Sequence, residues 1–70
     1  MRQKQLYGVI YIKQRIGGSE KVVESFDYGQ GRRFEKKEYA LQQAQIRLWS
    51  LKQKHPENKY RIHTTMRVKR

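Results

Sequence analysis

KKEYALQQAQIRLWSLKQKH, residues 36–55, is the one long run of the chain without glycine or proline. It is rich in strong helix formers. Ala40, Leu41, Ala44, Leu48 and Leu51 recur at helical spacing and form one apolar stripe. Two alanines on that stripe would let a helix sit close to a sheet. Half a turn away lies a thinner stripe of Tyr39, Ile46 and Trp49, with Gln42 and Gln53 between them. No Ser, Thr, Asp or Asn cap precedes the run, although Glu35 and Glu38 suit the positive end of a helix dipole. Lys52, Lys54 and His55 suit the negative end, and Pro56 stops the helix.

Working outward, the flanking segments read as strands. Leu6 to Gln14 is β-branched and aromatic, Gly17-Gly18 marks a tight turn, and Lys21 to Tyr28 is the return strand. A two-residue turn sets Ile12 opposite Val23, Val9 opposite Phe26 and Tyr7 opposite Tyr28. After the break at Gly29-Gln30-Gly31, Arg32-Arg33-Phe34 forms either a short strand or a lead into the helix. Beyond the helix, Tyr60 to Val68 alternates. Tyr60, Ile62, Thr64, Met66 and Val68 fall on one side; Arg61, His63, Thr65, Arg67 and Lys69 fall on the other. The expected fold is α+β: a small two-layer domain with an antiparallel sheet of three to four strands, β-β-(β)-α-β, and one helix packed on one face. Residues 1–70 read as a single basic domain, with 1–5 and 69–70 frayed at the ends.

Charge is the strongest functional signal. The 70 residues carry 17 Lys and Arg against 6 Asp and Glu, a formal net charge of +11. Such an excess favours a polyanionic partner, because each neutralised phosphate releases counterions. There is no cysteine, so disulfides and Cys-based zinc sites are excluded and a reducing, cytoplasmic setting is expected. No apolar run approaches the roughly 20 residues of a membrane span. The six carboxylates are scattered without a catalytic pairing, and His55 and His63 lack a metal-ligand or triad context. Acid–base ribonuclease chemistry at His63, beside Tyr60 and Arg61, is weaker than its reading as a surface histidine among phosphate contacts. No enzymatic activity, cofactor, metal or small-molecule substrate is expected. The glycine pairs lack phosphate-loop and dinucleotide spacings.

With the two-residue turn, one hairpin face carries Leu6, Ile10, Ile12 and Val23, the better partner for the helix. The other carries Tyr7, Val9, Tyr11, Val22, Phe26 and Tyr28, with Lys13 and Glu24. If the last strand points Ile62 and Met66 inward, it adds Arg61, His63, Arg67 and Lys69 to that second face. Aromatics interleaved with cations suit nucleic acid, whether DNA or RNA: rings stack on bases and cations hold phosphates. The competing reading puts Phe26 and Tyr28 under the helix and makes the aliphatics a dimer seam. The candidate contacts are Tyr7, Tyr11, Lys13, Arg32, Arg33, Arg61, His63, Arg67, Lys69 and Arg70. Tyr39, Ile46 and Trp49 are the candidate protein interface. A chain this short has little material to cover that second stripe, so a homodimer is expected, through the helix face or a strand edge. The rival function is a protein-binding adaptor or inhibitor anchored by those three residues.

Strands followed by Arg32-Arg33-Phe34, Glu35-Lys36-Lys37-Glu38 and a helix opening Tyr39-Ala40 resemble the small amino-terminal DNA-binding domains of phage and transposon integrases. The likeness covers about residues 6–50 and implies a three-stranded sheet that enters the major groove. It also implies a phage or mobile-element origin. The strand Tyr60 to Val68 departs from that pattern.

Overall fold

A computed structural model describes residues 5–29 and 31–69. Along the chain run β1 (Gln5–Ile16), β2 (Ser19–Tyr28), α1 (Lys37–Lys54) and β3 (Lys59–Lys69). The strands form one antiparallel sheet in the order β2-β1-β3, with α1 laid on one face. This is the expected α+β two-layer arrangement. The third strand is β3, however, and it follows the helix. Arg32–Phe34 adds no strand: Phe34 makes a single parallel bridge with Tyr28. Its segment is spent on hooking back, with Gly29 N donating to Phe34 O (2.8 Å) and Phe34 N to Asp27 O (3.2 Å). The topology therefore departs from that implied by the integrase likeness.

The helix forms where its apolar stripe predicts. Ala40, Ala44 and Leu51 are buried, Leu41 and Leu48 half-buried. Lys36 enters with extended backbone and no side-chain cap, so the first turn relies on Glu38 and on packing. Ala40 and Ala44 let the helix approach Ile10, Ile12 and Phe26, which complete the core. Around it lie Tyr28, Phe34, Leu41, Leu48, Tyr60 and Ile62.

The hairpin register corrects the sequence reading. The turn has two residues, with Ile16 opposite Ser19 and Gly17 at φ +61°, where glycine alone is unstrained. From there to Lys13↔Val22 the ladder runs as expected. It then shifts: Ile12 pairs with Glu24, Ile10 with Phe26 and Gly8 with Tyr28, leaving Val23 as the extra residue of a β-bulge. The pairs Ile12–Val23, Val9–Phe26 and Tyr7–Tyr28 are not formed. Because faces alternate along a strand, the one-residue shift carries Glu24, Phe26 and Tyr28 to the helix side. Phe26 is 2% exposed there. Burying such a ring contributes about 1.5–3 kcal/mol, more than the roughly 0.5–1.5 kcal/mol of the one ladder bond a bulge disrupts. Tyr28 lies over Gly8, where a β-carbon would overlap its ring. Glu24 accepts a hydrogen bond from Arg47 of the helix (2.7 Å).

β3 sets Ile62 opposite Ile12, Thr64 opposite Ile10 and Met66 opposite Gly8, all on the helix side. The helix spans about 27 Å and the longest strand about 40 Å. The sheet therefore overhangs it, and Leu6, Met66 and Val68 stay about half exposed. Among the described residues no helix covers the sheet's other face.

Candidate nucleic-acid interface

The register decides which residues meet on the uncovered face, because residues directly opposite in a ladder share a side. Along the central strand, Tyr7 stands opposite Arg67, Val9 between Asp27 and Thr65, and Tyr11 between Ser25 and His63. Further on, Lys13 faces Arg61, and Arg15 stands between Glu20 and Lys59.

Two clusters result. In the first, the Arg32 guanidinium lies 3.7 Å from the Tyr7 ring centroid, a cation–π contact, with Asp27 3.8 Å from its Nη1. Arg32 Nε is shielded from solvent and has no hydrogen-bond partner among the described residues. Arg67 Nη1 donates to the Tyr11 hydroxyl (2.8 Å), and that bond raises the guanidinium above its already high ordinary pKa. Val9, 5% exposed, floors the shallow depression between the two tyrosines. The cluster thus presents two oriented guanidiniums, each resting on a tyrosine.

The second cluster lies at the hairpin end, around a depression of about 280 Å³ lined by Lys13, Arg15, Glu20, Lys59, Tyr60 and Arg61. Arg61 reaches across β1 to Glu20 on β2, with Nη2 donating to Oε1 (2.7 Å) and Nε to Oε2. That fork holds the Glu20 carboxyl below its ordinary pKa, and the charges of Lys13 and Arg15 act in the same sense. In turn Glu20 raises the Arg61 pKa. Arg61 is therefore on the expected face but carries its own counterion.

The remaining sequence candidates divide. Tyr7, Tyr11, Lys13, Arg32, His63 and Arg67 share the uncovered face with Arg61. Lys69 continues its register at the strand end, and Arg70 lies outside the described residues. Phe26 and Tyr28, which the assumed register put among the stacking rings and the competing reading put under the helix, lie on the helix side, as the competing reading has it. Arg33 parts from Arg32: its guanidinium stands 5.3 and 5.0 Å from the rings of Phe26 and Phe34, at the rim of the core. Tyr39, Ile46 and Trp49 are exposed on the outward side of the helix, Trp49 by 66%. Arg15 and Lys59 were not among the sequence candidates, although simple alternation from Lys13 and Arg61 reaches both. Glu20 follows from the two-residue turn, which sets it opposite Arg15, whereas Asp27 joins the face only once the bulged register is known.

Among the residues whose side chains are described, Lys13, Arg15, Arg32, Lys59, Arg61 and Arg67 stand on this face against the carboxylates Glu20 and Asp27. The described residues hold no cluster of three or more His, Cys, Asp or Glu side chains able to bind a metal. None of their helices is long and apolar enough to cross a membrane. No protein-family model, curated protein or solved structure matches the chain.

Proposed function

We propose that this chain is a small non-enzymatic nucleic-acid-binding protein that docks its ligand on the uncovered face of the sheet. The observation that carries the reading is the first cluster. Tyr7 and Tyr11 on the central strand each hold an arginine in place, Arg32 by ring contact and Arg67 by hydrogen bond. Guanidiniums fixed in this way present donors to phosphate oxygens or base edges with less entropy left to lose. The tyrosines and Val9 supply apolar surface for a base or sugar. Lys13, Arg15 and Lys59 extend the cationic track to the far end of the sheet. Phosphate contacts then dominate affinity, with modest sequence preference. The cysteine-free composition supports a cytoplasmic setting.

The test is fluorescence anisotropy of labelled single-stranded DNA, duplex DNA and RNA at low and physiological salt. Trp49 is 66% exposed on the outward helix face, so the folding of each variant is followed by circular dichroism instead of by its emission. Replacing Lys13, Arg32 and Arg67 together by glutamine should weaken binding. It should also flatten the log–log salt dependence by about 0.7–0.9 per lost contact, roughly two to three units in all. Unchanged affinity and slope would refute this placement. A second reading, a protein-binding adaptor, is supported by the exposure of Tyr39, Ile46 and Trp49. It predicts that none of the three nucleic acids stays bound at physiological salt.

A further inference from the structure

The two edges of the sheet are unlike. β2 is broken by the bulge, and its far end is engaged by Phe34. β3 runs eleven residues, Lys59–Lys69, with no register shift against β1. An edge strand displays unpaired backbone donors and acceptors along its outer side. Proteins that keep such an edge free guard it with proline, bulges or projecting charges. β3 has neither proline nor bulge. Its two arginines lean away from the edge: Arg61 crosses β1 to Glu20, and Arg67 folds onto Tyr11. The stretch His63-Thr64-Thr65-Met66 between them carries no fixed charge. On the helix side, beyond the reach of α1, the register brings Leu6 and Val68 together next to Met66. These three are 51, 47 and 54% exposed.

We propose that β3 is the seam of a homodimer, two copies pairing antiparallel about Thr64. With Thr64 opposite the partner's Thr64, Ile62 meets the partner's Met66 and Tyr60 meets the partner's Val68. Both pairs lie on the helix side. The overhanging Met66 and Val68 of each copy are laid against the half-buried Ile62 and Tyr60 of the other. Centring the pair on His63 or Thr65 keeps the faces matched but sets Ile62 or Met66 opposite threonine, which loses apolar contact. In the Thr64 register Arg61 stands opposite the partner's Arg67, a meeting eased by the Glu20 counterion. The paired sheet is continuous, with both helices on one side and both cationic faces on the other. This inference stands whether or not the ligand is a nucleic acid.

The chain has no cysteine, so a single introduced thiol is an unambiguous probe. Directly opposed residues have Cα atoms about 4.5–5.5 Å apart, within the span of a disulfide. Thr64→Cys, at an exposed position, should form an intermolecular disulfide under mild oxidation. It should do so at least about tenfold faster than Gln45→Cys on the helix, because pairing raises the effective thiol concentration. Sedimentation equilibrium of the unmodified chain should show a dimer that Met66→Lys shifts toward monomer. A chain that sediments as a monomer throughout, with Thr64→Cys no faster than Gln45→Cys, overturns the proposal. So does preferential crosslinking of Trp49→Cys, which would move the seam to the outward helix stripe.

Discussion

Gly8→Ala probes the feature on which the arrangement of both faces depends. Gly8 is buried on β1 opposite Tyr28, whose ring covers it on the helix side. A single methyl group at this position must displace that ring. Forcing extra atoms into a packed site costs typically about 1–3 kcal/mol, while replacing a strand glycine regains about 0.5–1 kcal/mol of backbone entropy. The expected net loss is about 1–2 kcal/mol, or about 5–15 °C in melting temperature for a domain of this size. The informative comparison is the same substitution beside Tyr28→Ala. With the ring gone the clash is absent, and Gly8→Ala should become neutral or mildly stabilising. Urea unfolding of the four proteins, followed by circular dichroism, would then give a coupling energy of about 2 kcal/mol. The reasoning fails if the two substitutions add within about 0.5 kcal/mol. Additivity would mean that Tyr28 does not cover Gly8, and hence that the bulge at Val23 does not exist.

Three further perturbations test other parts of the molecule. Glu20→Gln removes the carboxylate facing Arg61, Lys13 and Arg15. It should tighten oligonucleotide binding by about three- to tenfold and steepen the salt slope by roughly one unit. An unchanged slope would exclude the second cluster from the interface. Because the Arg61 hydrogen bond depresses the Glu20 pKa, the pair stabilises the fold above the carboxyl's unfolded-state value. That stabilisation is lost as pH falls through the lower folded value. Carbon-detected NMR should place the Glu20 midpoint below that of an ordinary glutamate and return it toward that range in Arg61→Gln; identical midpoints would exclude the pair in solution. Ala44→Leu should cost about 1–3 kcal/mol in urea unfolding, since Ala44 is fully buried between helix and sheet. A neutral result would place a different helix face against the strands.

Periodicity made most of this architecture legible. Ala40, Ala44, Leu48 and Leu51 repeat with the helix, Tyr60 to Val68 alternates, and Gly17-Gly18 marks a tight turn. Each of these signals is local, and each led to the observed element. The bulge depends on long-range packing: Val22-Val23-Glu24 reads like any strand, and only the pull of Phe26 toward Ile10 and Ala44 selects the shifted register. One residue did hint at it. A glycine inside a strand, such as Gly8, marks close approach by a neighbouring group, and an aromatic on the adjacent strand was available in Tyr28. The division of Arg32 from Arg33 was hidden for a similar reason. Neighbouring arginines look alike in sequence, and their separation follows from how the loop 29–34 docks on the end of β2. The cations of the site could be anticipated from alternation. So could Glu20, which stands opposite Arg15 on the turn side of the shift; Asp27 could not, because it lies beyond the bulge, where the register changes.

The bulge also bears on which length changes this gene could tolerate. Between Val22 and Phe26 the chain has three residues, where the facing segment from Lys13 to Ile10 has two. β2 therefore carries one residue of slack. Loss of a single codon for Val23, Glu24 or Ser25 would draw that slack in and restore an unbroken ladder. Phe26 would still arrive opposite Ile10, and Tyr28 opposite Gly8. In a regular strand the same deletion turns every later side chain inside out. This hairpin could instead shorten by one residue and keep its core, the change being confined to the exposed surface around the missing position.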